Sequence, residues 1–219
     1  MIYSYTSFNC YQNCPKQFYY RYIAKALPFV ETEAMAWGKR VHTAFERRLK
    51  LKEALPPALA HLEPIPRAIE SAPRVIVEQT LIITREGRPG NKSNGFLSSR
   101  CDVGTFDEGY SLAYLIDWKT GKPREDDTEL CFQAITLNCH YPTVKSVGGA
   151  YCWIKDGRVG ADHDLMTNMH PAWAQLCEVV DLIELQKRDG ENGFPAKPGK
   201  FFPCPYCAAT FCPYRETPS

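Results

Sequence analysis

The sequence predicts an α/β domain in which helices flank a mixed sheet, and three observations carry that prediction. β-branched and apolar runs over 74–84, 96–106 and 111–119 read as strands. Apolar residues at helical spacing precede and follow them. The resulting order, helix–strands–helix–strand–helix, leaves a sheet that a helix must cross. Composition agrees: of 219 residues 44% are apolar and 23% charged, and Pro and Gly together number 31, which argues against a disordered or collagen-like chain. A chain of this length buries a core without disulfide staples. No apolar run approaches the ~20 residues of a membrane span. The opening Met1–Ser7 lacks the basic and long apolar regions of a secretory signal, so the expectation is a cytoplasmic protein.

Taken in order, Thr6 or Ser7 caps a first helix running towards Ala24, and Pro15 divides it or opens its second half. Phe18, Tyr19, Tyr22 and Ile23 form its apolar stripe. Thr32 caps a second helix of about twenty residues, with Trp37, Val41, Ala44, Phe45 and Leu49 facing the core. Pro56, Pro57, Pro64 and Pro66 predict an irregular crossing or short helical turns over 54–66. Arg74–Thr84 is a strand, and 87–95 a connector. Phe96–Phe106 and Ser111–Lys119 form a hairpin around Asp107–Tyr110. Asp126–Tyr141 is a helix, and Val147–Ile154 with Arg158–Leu165 a second hairpin. Pro171–Lys187 is a long amphipathic helix with Leu176, Val179, Val180, Ile183 and Leu185 on its buried side.

Charge is nearly balanced at +1 but unevenly distributed. Lys16–Lys52 holds nine Lys/Arg against three Glu, and Cys101–Leu130 eight Asp/Glu against three Lys/Arg. A basic arm and an acidic centre suit a polyanion held over a cation site. The ten cysteines, in a reducing compartment, are free thiols or metal ligands. Cys101, Cys131, Cys139, Cys152 and Cys177 stand singly in apolar segments and read as small buried hydrophobes. Cys204, Cys207 and Cys212 form a Cys-x2-Cys-x4-Cys segment stiffened by Pro203, Pro205 and Pro213. Three thiolates need a fourth ligand for tetrahedral zinc or an iron–sulfur cluster. Neither Cys nor His follows Cys212, so the fourth comes from upstream, with Cys14 and Cys10 as candidates.

Asp117-Trp118-Lys119 ends an apolar strand and is the only Asp/Glu-x-Lys in the chain. Strand period two places Asp117 and Lys119 on one face and Trp118 on the other. A hairpin turning around Gly109-Tyr110 makes Asp102 and Asp117 direct cross-strand neighbours. Two carboxylates so placed repel each other unless a cation lies between them, and hard oxygen ligands suit Mg²⁺ or Mn²⁺. His42, one helical turn from Gly38 and from Glu46, is a third candidate ligand, and Gly38 would let another backbone come close.

Gly38-x-x-x-His42, Asp102, Asp117-x-Lys119 and Gln133 stand in the order of the PD-(D/E)XK nucleases of the RecB nuclease-domain type, and the chain resembles that family. Ser4-Tyr5-Thr6-Ser7 through Cys14-Pro15-x-x-Phe18, with the C-terminal Cys triplet, resembles its iron–sulfur branch, which includes AddB-type nucleases and the CRISPR-adaptation exonucleases. Two departures stand out. The family's Gln-x-x-x-Tyr reads Gln133-x-x-x-Leu137, with Tyr141 one turn later, and the gap from Cys207 to Cys212 is one residue shorter than the family form.

The resemblance implies a restriction-endonuclease-like core spanning 1–219 as one domain, with 1–30 and 193–219 forming a terminal region joined by a [4Fe-4S] cluster on Cys14, Cys204, Cys207 and Cys212. It implies Mg²⁺ or Mn²⁺ held by His42, Asp102, Asp117 and the Trp118 carbonyl, with Asp102, Asp117, Lys119 and Gln133 as catalytic residues. Lys16, Arg21, Lys39, Arg40, Arg47 and Arg48 are the candidates for a phosphate-tracking wall. Tyr19, Tyr20 and Tyr22 are candidates for base stacking, with at least two of them expected in the core. The function so implied is a DNA exonuclease acting on single strands or strand ends in recombination, repair or DNA processing, with recombination or CRISPR-adaptation proteins as partners. The rival reading is a non-catalytic nucleic-acid-binding module with a structural metal.

Overall fold

The computed structural model describes residues 1–28, 30–123 and 126–216. Phe29, Arg124, Glu125 and the last three residues of the 193–219 region lie outside the described residues. The chain forms two compact units, one of Met1–Ile2 with Glu31–Trp173 and one of Tyr3–Val30 with Ala174–Ser219.

The first unit is a mixed α/β layer structure. Its sheet has the order β1 (Arg74–Ile83), β2 (Leu97–Phe106), β3 (Leu112–Lys119), β4 (Ser146–Trp153), with the short β5 (Arg158–Val159) and β6 (His163–Asp164) both on the outer edge of β4. β1, β2 and β3 are antiparallel, and β3 and β4 parallel, as a strand pair joined by a crossing helix requires. The crossing helix is α5 (Thr128–His140).

Of the helices before the sheet, α3 (Glu33–Leu51) opens with Thr32 accepting from the Met35 amide at 3.2 Å, the expected cap. Its Val41, Phe45 and Leu49 are buried, and Phe45 stacks on Trp118 with ring centroids 4.3 Å apart. Trp37, expected in the core, is instead exposed and carries the Arg40 guanidinium over its ring at 5.5 Å. The proline-rich crossing forms a 3₁₀ turn (Pro57–Leu62) and the short α4 (Pro64–Glu70), whose Leu59, Leu62 and Ile69 close the core beneath α3.

The second predicted hairpin is only half present. Gly160, Ala161 and Asp162 interrupt the return strand, and Leu165 already begins α6 (Leu165–Gln186), six residues before the expected start at Pro171. The reason is Asp164, which caps the helix by accepting from the Met166 amide at 3.1 Å and the Thr167 hydroxyl at 2.9 Å. Leu176, Val179, Val180 and Ile183 of α6 are buried as expected, but Leu185 is exposed.

In the second unit, α1 (Tyr5–Asn13) starts earlier than predicted. Ser4 and Ser7 form a reciprocal capping box, each hydroxyl accepting from the other's amide. Extended Cys14 then separates α1 from α2 (Pro15–Phe18), with Pro15 at its first position, and a π turn follows over Tyr19–Ile23. Phe18 is fully buried, with Tyr11, Tyr22 and Phe194 around it. Among the described residues no helix is long and apolar enough to cross a membrane.

Candidate active site and cysteine site

β2 and β3 pair with Val103 opposite Ile116, and continuing that register sets Asp102 opposite Asp117. Asp102 and Asp117 are 3% exposed, each behind an apolar flank: Cys101 and Val103 beside one, Ile116 and Trp118 beside the other. The Trp118 amide donates to Asp102 Oδ2 at 2.9 Å, so the carboxylate of one strand caps the backbone of the next. Strand alternation turns Trp118 to Phe45 of α3, while Asp117 and Lys119 face α5. There Gln133 Nε2 donates to Asp117 Oδ1 at 2.7 Å, and Glu129, one helical turn earlier, accepts from Lys119 Nζ at 2.6 Å. Lys119 Nζ also stands 2.6 Å from Asp117 Oδ2, an ion pair outside hydrogen-bond geometry.

His42 projects from α3 with Nδ1 3.1 Å from Glu78 Oε1 and 3.2 Å from Asp102 Oδ1. Glu78 is in β1, where residues on both sides pair with β2 but Glu78 itself adopts φ +50°. A left-handed conformation is costly for a residue with a Cβ and persists only where its surroundings over-determine it. Here they do: the carboxylate is buried between His42 and an ion pair with Arg100. Gly38 does not admit another backbone, since the nearest atom to a Cβ there would be Thr120 Oγ1 at an ordinary 3.5 Å.

The electrostatics follow from burying many acids together. Burial and the charge of Asp117 push the Asp102 carboxyl up, against the opposing pull of His42. Burial opposes charge on His42, but hydrogen bonds to Asp102 and Glu78 outweigh it and raise the imidazole to about 10. Burial and Asp117 likewise raise Glu129, against Lys119. Burial opposes charge on Lys119, but Asp117 and Glu129 keep the ammonium protonated well beyond its usual range. Four carboxylates, Glu78, Asp102, Asp117 and Glu129, thus share three cationic side chains, His42, Arg100 and Lys119. Among the described residues, Asp117 Oδ2 has only the Lys119 ammonium beside it and Gln133 Oε1 is a buried acceptor without a hydrogen-bond donor. A divalent cation fits this donor set: it would satisfy both oxygens and relieve the Asp102–Asp117 repulsion. His42, Glu78 and Asp102 offer ligand atoms within 4.8 Å of one another and can hold a metal ion.

Glu78 and Glu129 are absent from the residues the sequence reading selected. Glu129 has a readable signal, since it shares a helix face with Gln133. Glu78 has a weaker one, a lone acid inside a β-branched strand. Tyr141 lies away from Asp117, packed on Phe106 and Tyr110 beside the β2–β3 turn. Leu137, four residues after Gln133, is fully buried.

The basic residues divide. Lys39 and Arg40 are exposed on α3, Arg21 is exposed in the second unit, and Arg47 is exposed with its guanidinium on Glu53. Lys16 and Arg48 do not belong to an exposed wall. Lys16 is buried with Nζ donating to the Glu191 carbonyl at 2.6 Å, and Arg48 is buried between Glu63 and Glu70. A buried cation keeps its charge by pairing, and these two have done so. Tyr20 is buried beside Phe211, and Tyr19 and Tyr22 pack on Phe194 and Phe18.

None of the ten cysteines, all of them among the described residues, forms a disulfide. Cys14, Cys204, Cys207 and Cys212 line one small cavity of the second unit. The Lys197 amide donates to Cys14 Sγ and the Gly199 amide to Cys204 Sγ, each at 3.4 Å. Burial raises the Cys207 thiol, opposed by the Ala209 amide and reinforced by the other three sulfurs, which places all four within one field. Amide donors stabilise thiolates, the ligand form of cysteine.

The sheet is mixed and flanked by helices, and His42, Glu78 and Asp102 could hold a metal ion. In comparison with protein families, residues 2–87 match the model of the PD-(D/E)XK nuclease superfamily, whose members are typically metal-dependent nucleases. The matched span carries His42 and Glu78 and stops before Asp102. No curated protein matches.

Proposed function

We propose that the chain is a divalent-metal-dependent DNA exonuclease that hydrolyses phosphodiester bonds in single strands or strand ends. The observation that carries the reading is the pair Asp102 and Asp117 at one register position, with Lys119 on the same face as Asp117 and His42 and Glu78 across from Asp102. Asp102, Asp117, His42 and the Trp118 carbonyl would hold the cation, with Glu78 as an added carboxylate. When bound, Mg²⁺ or Mn²⁺ supplies an activated water and neutralises charge on the scissile phosphate. Lys119 orients the attacking water and offers a proton-bearing cation to the developing charge. Glu129 and Asp117 hold that ammonium in place, and Gln133 fixes the rotamer of Asp117. No covalent enzyme intermediate is needed.

In the second unit, the reading assigns a [4Fe-4S] cluster to Cys14, Cys204, Cys207 and Cys212. The shared cavity and the Lys197 amide on Cys14 Sγ support Cys14 over Cys10. Iron rather than zinc rests on the resemblance to the iron–sulfur branch. Roles in recombination, repair or CRISPR adaptation, with partner proteins from those processes, rest on the same resemblance.

The deciding experiment incubates purified protein with end-labelled single- and double-stranded DNA in Mn²⁺ or EDTA. Shortening of the strand from an end in Mn²⁺ alone is expected. Intact DNA in every lane, with binding retained, would favour the non-catalytic module.

A further inference from the structure

From Asn192 to Arg215 the chain has no acidic residue, while Lys197, Lys200 and Arg215 are basic. The same stretch has no Leu, Ile, Val or Met, so its large apolar side chains are all aromatic. Of these only Phe194 is buried. Phe201 is 84% exposed, Tyr206 77% and Phe202 56%, and Phe211 and Tyr214 also reach solvent. Apolar surface gathered in this way on one segment marks a binding surface.

The rings stand outside because the cysteine site takes the inside. Cys204 and Ala209 are buried, and the Gly199 amide on Cys204 Sγ draws the chain inward on one side of the rings. The Cys207 amide closes a turn on the Cys204 carbonyl at 3.1 Å on the other. Between them the loop is tight: a Cβ at Gly199 would lie 2.1 Å from the Phe202 carbonyl oxygen, so only glycine fits. Pro198, Pro203 and Pro205 stiffen the segment. Phe202 and Tyr206 are thus held with centroids 6.3 Å apart and planes tilted by 43°. Lys200 is exposed next to Phe201, whereas Lys197 leans back with Nζ on the Gln12 carbonyl at 3.1 Å.

We propose that Phe201, Phe202 and Tyr206, with Lys200, form a stacking platform for single-stranded nucleic acid, built wholly from the second unit. Exposed rings interleaved with cations and free of acids meet both needs of a single strand, a π-face for each base and a positive charge for the phosphates. Surfaces that dock a helix or a membrane add aliphatic side chains to their rings, and this segment adds only cations. Rigid rings also lose little freedom when a base settles on them. That the bound strand is the substrate of the acidic cluster rests on the nuclease reading above; the binding itself does not.

The test is fluorescence anisotropy with labelled oligothymidine, without added divalent cation, beside a strand of equal length made of abasic residues. Wild type should bind oligothymidine about tenfold or more tightly than the abasic strand, in line with base–aromatic stacking. Phe201→Ala with Tyr206→Ala in one chain should erase that margin without unfolding the protein, since both positions are exposed. Phe201→Trp should keep it. Lys200→Ala should weaken both strands alike and flatten the salt dependence of binding. Equal binding of the two strands by wild type, or no measurable binding, overturns the proposal, as does an unchanged margin in the double variant. Loss of binding to anionic vesicles in the double variant, with oligothymidine affinity intact, would overturn it in favour of a membrane contact. A ring-dependent margin in protein that cuts nothing in Mn²⁺ removes the nuclease reading and leaves the platform, whereas cleavage in Mn²⁺ with no such margin removes the platform alone.

Discussion

Gln133 Nε2 donates to Asp117 Oδ1 at 2.7 Å, joining the middle of α5 to the end of β3. The bond leaves the other Asp117 oxygen for Lys119 or a cation and stops the carboxylate from rotating. Gln133→Leu should cost about 1 kcal/mol of stability, the net worth of one such bond. It should also raise the Mn²⁺ concentration for half-maximal cleavage about tenfold, as loss of an outer partner does. A metal titration of cleavage rate measures this; an unchanged midpoint would make Gln133 a packing residue.

Asp117→Ala and Lys119→Ala should each reduce cleavage by at least about 100-fold while leaving DNA affinity within a few-fold. Both side chains face α5 and each other, placing them with the metal and water and away from the strand as a whole. Activity within a few-fold of wild type in either variant would falsify the assignment.

His42 and Glu78 can be separated from mere packing by a binding measurement. His42→Ala and Glu78→Gln should each weaken Mn²⁺ binding in calorimetric titration by about tenfold or more. If His42→Ala instead lowers the melting temperature sharply and leaves Mn²⁺ affinity intact, the imidazole serves to hold α3 to the sheet.

The cysteine site makes a prediction of colour and stoichiometry. Anaerobically purified protein should be brown and carry about four iron atoms per chain. Cys14→Ser should lose the metal and Cys10→Ser keep it. One equivalent of zinc in a colourless protein would replace the cofactor, and the reverse pattern of variants would replace the ligand.

Glu70 sets an acid-stability expectation. Hydrogen bonds from Arg48 and Lys52 hold its carboxyl down to about 2 from an ordinary 4.5. A depressed carboxylate contributes fully above its unfolded value and loses that contribution as pH falls through the folded one. Glu70→Gln should therefore lower stability by about 1 kcal/mol at pH 7 and flatten the acid limb between pH 4.5 and 2. Melting curves across that window check it; an unaltered acid limb would place the acid sensitivity elsewhere.

The hairpin pair was legible in advance because it is local. Two strands joined by a short turn have a register that counting recovers, so Asp102 and Asp117 met as the residues alone required. Capping was partly legible: Thr32 follows its chemistry, whereas Ser4, not Thr6 or Ser7, caps the first helix, and Asp164 caps a helix whose expected start is Pro171. In both cases a small polar residue preceded the helix, and the choice between neighbours depended on which backbone amides its oxygen reached.

By itself the sequence determined the four long strands, the approximate places of the main helices, the face shared by Asp117 and Lys119, and the two groups of cysteines, because strand and helix periods and short turns act over a few residues. Tertiary structure decided what no period encodes. It brought His42 and Glu78 to Asp102 across 60 and 24 positions, swung Glu129 onto Lys119, and left Trp37 and Leu185 in solvent. It also buried Lys16 and Arg48 against remote partners. A charge in the sequence states only that a partner or water is required, and which of the two it meets depends on what the rest of the chain packs around it.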